Sequence, residues 1–132
     1  LGFLSKAFGL AYGNIEVCCG MTQWASPAIR LHSHYGNIEV LTSYTPAHSY
    51  AKTLTYRLKV DPKEWVRFFT EEKCEEFQKN FEKTGFLLDP KSEDSIIQFQ
   101  RKIEAGQGPF YLDASEIRTK PLDSPFMVYR PI

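Results

Sequence analysis

Residues 54–64 restrict what this chain can fold into more than any other stretch does. From Leu54 onward apolar and polar residues alternate, Leu54, Tyr56, Leu58 and Val60 against Thr55, Arg57 and Lys59, which is the period of a strand with one buried face. Asp61, Pro62 and Glu64 come next. An aspartate able to cap, a proline suited to the first helical turn and an acid soon after it start a helix. Trp65, Phe68 and Phe69 then share one helical face, whereas Cys74, Phe77 and Phe81 fall on a face rotated away from it. One straight helix cannot bury both sets, so a break is expected at Thr70, whose hydroxyl can cap a second helix with Glu71 and Glu72 in its first turn. Gly85 offers the left-handed residue that closes a helix. The pattern predicts an α+β domain: a mainly antiparallel sheet of about five or six strands with a kinked helix pair, 62–84, packed on one face.

The remaining segments are read around that unit. Apolar residues at Phe3, Leu4, Ala7, Phe8 and Leu10 predict an amphipathic helix over 1–11, suited to packing on the sheet, docking a partner or lying on a membrane surface. The hexapeptide Tyr-Gly-Asn-Ile-Glu-Val occurs twice, at 12–17 and 35–40. Two copies do not make a solenoid; they predict two similar turn-and-strand units near each other in one sheet. Ala28 to His32 reads as a short extended piece, Val40 to Tyr44 as a strand and Thr45 to His48 as a loop. Residues 92–105 fit a helix capped by Ser92 and closed by Gly106, and also a strand in which Ile97, Phe99, Arg101 and Ile103 alternate; the cap and the glycine favour the helix. Phe110 to Thr119 reads as a strand. Residues 120–132 form a proline-punctuated tail, with Phe126 to Tyr129 as a closing strand.

With 132 residues the chain is expected to be one domain, and its beginning at Leu1 suggests a processed or trimmed product. Sixteen basic and sixteen acidic residues cancel, which leaves no global field to collect nucleic acid or an anionic membrane. The first sixty residues lean basic and hold all three histidines, and the remainder leans acidic. Cys18, Cys19 and Cys74 are odd in number and two are adjacent, so a disulfide framework is not indicated and a reducing intracellular compartment is expected. No apolar run reaches the length of a membrane span.

Candidate sites are few. His32 and His34, followed by Glu39, have metal-like spacing: in an extended segment the two imidazoles point to the same side, and a carboxylate beyond them completes three ligands for zinc, iron or manganese. These residues resemble the first motif of the cupin family, in which two histidines and a glutamate bind a metal inside a small β-barrel. The motif's glycines fall at Ser26 and Pro46 here, and no histidine follows His48. A Cys and His pair with His48 as base has no local support, and Gly106-Gln-Gly108 lacks the lysine of a phosphate loop. Tyr35, Tyr44, Tyr50 and Tyr129 can form a contact patch, because tyrosine offers large amphipathic area at low entropic cost.

The expected function is a non-catalytic protein-interaction or assembly module without a cofactor, of the viral or regulatory adaptor kind that oligomerises, its partner a protein or a second copy. The alternative is a metal-dependent enzyme of small β-barrel type using His32, His34 and Glu39. A second alternative is single-stranded nucleic-acid binding on an aromatic and basic sheet face, for which Arg67 beside Phe68 and Phe69, and Tyr50 with Tyr56, Arg57 and Lys59, are the nearest approach, although Tyr56 and Arg57 face opposite ways on the strand.

Overall fold

Leu54, Tyr56, Leu58 and Val60 are buried, as their alternation requires, and the strand that carries them, β3 (Thr53–Lys59), lies between two antiparallel neighbours. The structure, a computed structural model, describes residues 2–48, 51–69 and 74–132, the side chains of Cys74 and Glu75 excepted. The neighbours of β3 are β1 (Val17–Gln23) and β2 (Ile38–Tyr44). Each begins within or just after one copy of the repeated hexapeptide, so the copies lie in one sheet on either side of β3. With β4 (Phe81–Leu88), β5 (Phe110–Leu112) and β6 (Phe126–Pro131) the described residues form one six-stranded sheet in the order β1-β3-β2-β5-β6-β4. Every pairing is antiparallel. The protein is α+β.

Residues opposite each other in antiparallel strands share a face. Ile38, Leu58, Leu112 and Val128 therefore lie on one side, and helices cover it. Ala7 and Leu10 from α1 (Gly2–Tyr12), Ile29 from α2 (Ala28–His32), Phe68 from the 3-10 helix Pro62–Phe69, Ile96 and Phe99 from α4 (Glu93–Glu104), and Ile117 from α5 (Ala114–Thr119) join these strand residues in one core. The other side carries the row Cys19, Arg57, Glu39, Tyr111, Tyr129 and Lys83, one residue from each strand. Against its far end sits α3 (Cys74–Asn80), whose Phe77 stacks on Phe81 at 4.4 Å and meets Tyr129 edge-on at 4.9 Å. No helix among the described residues is long and apolar enough to cross a membrane.

Local differences from the sequence reading have identifiable causes. Residues 28–32 are helical, because the Ser26 hydroxyl accepts from the Ala28 amide at 3.3 Å and Pro27 supplies a helical φ of −59°. The Arg30 guanidinium then ties this turn to the Ile117 and Lys120 carbonyls at 3.2 and 2.8 Å. The helix predicted to reach Gly85 ends at Asn80, and Phe81, Glu82 and Lys83 pair with β6, where Arg130 bonds Glu82 at 3.0 Å. Gly85, at φ +83°, sits where the β4–β6 register slips between Lys83 and Leu87, so its left-handed backbone serves an irregularity in a strand. The break expected at Thr70, with Glu71 and Glu72, lies outside the described residues. Residues 93–104 are a helix, with the Ser92 hydroxyl accepting from the Ser95 amide at 3.2 Å. The strand from Phe110 stops at Leu112, because Asp113 accepts from the Ser115 amide at 2.9 Å and starts α5. The proline-punctuated tail pairs inside its own sheet as β6.

Candidate functional site

In α1, Leu4, Phe8 and Tyr12 are spaced four apart and form one stripe, while Phe3, Ala7 and Leu10 form another. The second stripe faces the protein. The Phe3 ring stacks on Tyr35 at 5.5 Å and meets Phe69 edge-on at 5.1 Å and His34 at 4.9 Å. The Tyr35 hydroxyl donates to the Phe3 carbonyl at 2.9 Å. Leu4, Phe8 and Tyr12 face solvent, Phe8 at 68% exposure, with Phe8 and Tyr12 stacked at 5.4 Å. In the 3-10 helix Trp65, Val66 and Phe69 are also exposed, and Trp65 meets Phe69 edge-on at 6.2 Å. The Phe3–Phe69 contact joins the two helices; Lys6 is the single charge of α1, and Lys63, Glu64 and Arg67 stand exposed among the apolar residues of the 3-10 helix. Scattered exposed apolar residues are ordinary on a protein; adjoining ones mark contact sites.

A second open surface is the sheet face over β1, β3 and β2. The Arg57 guanidinium donates to both Glu39 oxygens, at 2.8 and 3.0 Å, and this hydrogen bonding, with the charge of Glu39, raises the Arg57 pKa above its ordinary value. Burial, and next the Glu39 charge, push the neighbouring Tyr111 phenol up. Thr42 and Thr55 share a hydroxyl contact of 2.6 Å. Val17, Cys19 and Met21 stand exposed on the same face.

The residues singled out in the sequence are dispersed by the fold. Glu39 sits opposite Arg57 on the open face, while His32, at the end of α2, bonds through Nδ1 to the hydroxyl of Tyr56, which belongs to the buried face. His34 lies against Phe3 on the helical side. Residues 28–32 are helical and not extended, so the two imidazoles do not share a side as a strand would place them, and the sheet stands between the carboxylate and the imidazoles. Among the described residues no group of three His, Cys, Asp or Glu side chains is placed to hold a metal ion. Burial and the nearby Lys6 charge lower the His32 pKa.

The tyrosines do not gather either. Tyr35 is buried under Phe3, with its phenol pushed up to about 12 by burial, and Tyr129 is buried under Phe77. Tyr44 is partly exposed and donates to the Met21 sulfur at 3.2 Å. Tyr50 lies outside the described residues. His48 lines a groove of about 640 Å³ with Met21, Ser26 and Tyr44, and among the described residues no cysteine lines it.

The outward placement of Leu4, Phe8, Trp65 and Phe69 was not foreseen. A signal for it exists in α1, where apolar residues at 3, 4, 7, 8 and 10 span more of the circumference than one packing face covers. Compared with protein-family models, with curated proteins and with solved structures, the chain matches none.

Proposed function

We propose that the chain is a non-catalytic protein-interaction or assembly module whose contact surface is built by α1 and the 3-10 helix. The observation that carries this reading is the set of exposed apolar residues on two touching helices, Leu4 and Phe8 on α1 and Trp65, Val66 and Phe69 on the 3-10 helix, which lie outside a core that already takes Ala7, Leu10 and Phe68 from the same two helices. Leaving aromatic side chains in water forgoes roughly 1.5–3 kcal/mol of burial for each, and a partner surface recovers it. Aromatic residues are the usual anchors of such contacts.

The two alternatives find less support in the geometry. A metal-dependent reaction on His32, His34 and Glu39 needs the carboxylate and the imidazoles on one side of the sheet. Binding of a single strand needs unpaired cations among exposed aromatic rings, and Arg57, in the middle of the open face, is paired with Glu39.

A Phe8→Ser, Trp65→Ser double variant tests the proposal. Both side chains are exposed, so the unfolding free energy is expected to change by no more than about 1 kcal/mol. The wild type, used as bait in an extract of its source, is expected to retain a stoichiometric protein partner that the folded variant loses. Identical retention by both proteins would remove the helical surface from the explanation.

A further inference from the structure

The sheet has two edges, and they are built differently. At one edge β4 carries Glu82, Lys83 and the left-handed Gly85, and its pairing with β6 is interrupted between Lys83 and Leu87. Charges and irregularities of this kind keep an edge from recruiting another strand. At the other edge β1 reads Val-Cys-Cys-Gly-Met-Thr-Gln, with no charge and no proline, and its register on β3 runs without a slip from Val17–Lys59 to Gln23–Thr53.

The direction of its free backbone groups follows from the flanking bonds. The Val60 amide donates to the Glu16 carbonyl, and the Trp24 amide donates to the Lys52 carbonyl, both at 2.8 Å. In an antiparallel pair the bonding residues alternate. Cys18, Gly20 and Thr22 therefore face β3 with their amides and carbonyls, and those of Val17, Cys19, Met21 and Gln23 point away from the sheet. Among the described residues no strand stands on that side.

We propose that β1 is a self-association edge, which pairs antiparallel with β1 of a second copy about a two-fold axis at Gly20. The inference goes beyond the helical surface above: it is a second contact, and its occupant is another copy of the chain. The axis follows from the backbone: with Gly20 opposite its own copy, Val17 meets Gln23 and Cys19 meets Met21, so every outward amide and carbonyl finds a partner. Extended backbone is the chemistry that satisfies such an edge. A second copy fits because the strand carries no charge to oppose its own image, and because a two-fold contact must be self-complementary. Val17, Cys19 and Met21 are exposed on the open face and become cross-strand neighbours of Gln23, Met21 and Cys19 of the second copy.

Sedimentation equilibrium under reducing conditions tests this, on the full chain and two variants. Met21→Pro removes an outward amide that makes no bond to β3, a substitution an edge strand tolerates. Val17→Lys with Met21→Lys sets charges on two exposed positions of the edge, and keeps the test decisive if the proline variant fails to fold. The wild type is expected to be dimeric at about 100 μM, and either folded variant to weaken the dimer at least roughly tenfold. A wild type that is monomeric at that concentration, or a dimer indifferent to both variants, overturns the proposal. The Phe8→Ser, Trp65→Ser variant separates this outcome from the broader reading. If it abolishes the dimer while the β1 variants do not, association belongs to the helical surface: the edge proposal falls and the assembly module stands.

Discussion

Tyr56 reaches along the buried face of the sheet until its phenol lies over Gly20, where an added Cβ would stand 2.5 Å from the hydroxyl oxygen. Only glycine leaves room for that reach, and the hydroxyl then meets His32 Nδ1. Burial, and secondarily the Lys6 charge, hold the imidazole below its ordinary value of 6.5. Between that lowered value and 6.5 the unfolded chain binds a proton that the folded chain does not, so this residue's contribution is present in full above 6.5. It declines as pH falls, and it is gone below the folded value. Urea unfolding from about pH 8 to about pH 5 is expected to show wild-type stability decreasing through this window. His32→Gln is expected to flatten that part of the profile; an unchanged profile would mean that another group carries it.

At the scale of elements, the repeated hexapeptide shows how far identical residues can diverge. Val17 pairs with Lys59 and Val40 with Tyr56, positions an odd number of residues apart on β3, and an odd slip exchanges the faces of every side chain. Ile15 and Val17 are 38% and 50% exposed, whereas Ile38 and Val40 are 0% and 3% exposed. Glu16 is exposed, and Glu39 is buried against Arg57. Ile38→Ala is expected to cost ~2–5 kcal/mol, the value for a buried branched side chain, and Ile15→Ala less than about 1 kcal/mol. Equal losses in chemical denaturation would contradict the flipped register. Local propensity is the same in both copies, so the strand and turn character was legible in the sequence. Which copy faces the core was not, because that depends on where each lands along β3.

The whole sheet is two parts joined by a narrow strand. β5, three residues long, pairs with β2 through Phe110, Tyr111 and Leu112 and with β6 through Tyr111 and Leu112. Leu112 sits between Ile38 and Val128 on the buried face. Leu112→Ala is expected to cost ~2–5 kcal/mol and to let the amides of β4 and β6 exchange before those of β3. A loss under about 1 kcal/mol, or uniform exchange across the sheet, would show that the helical layer and not β5 unites the two parts.

What the sequence determined by itself was the local grammar. The alternation at 54–60, the caps at Ser92 and Asp61, and the amphipathic pattern of the first helix are set by contacts within a few residues, and Asp61 does accept from the Lys63 amide at 3.2 Å. From these the α+β class and an antiparallel sheet follow. Tertiary structure decided everything that depends on partners distant in the chain. Residues 81–83 became a strand because β6 returns to pair with them, Tyr35 and Tyr129 became core because Phe3 and Phe77 cover them, and Glu39 was taken from the histidines by Arg57. Each of these is a choice between local states that differ by a kilocalorie or so, and the burial or ion pair that settles it comes from residues far along the sequence.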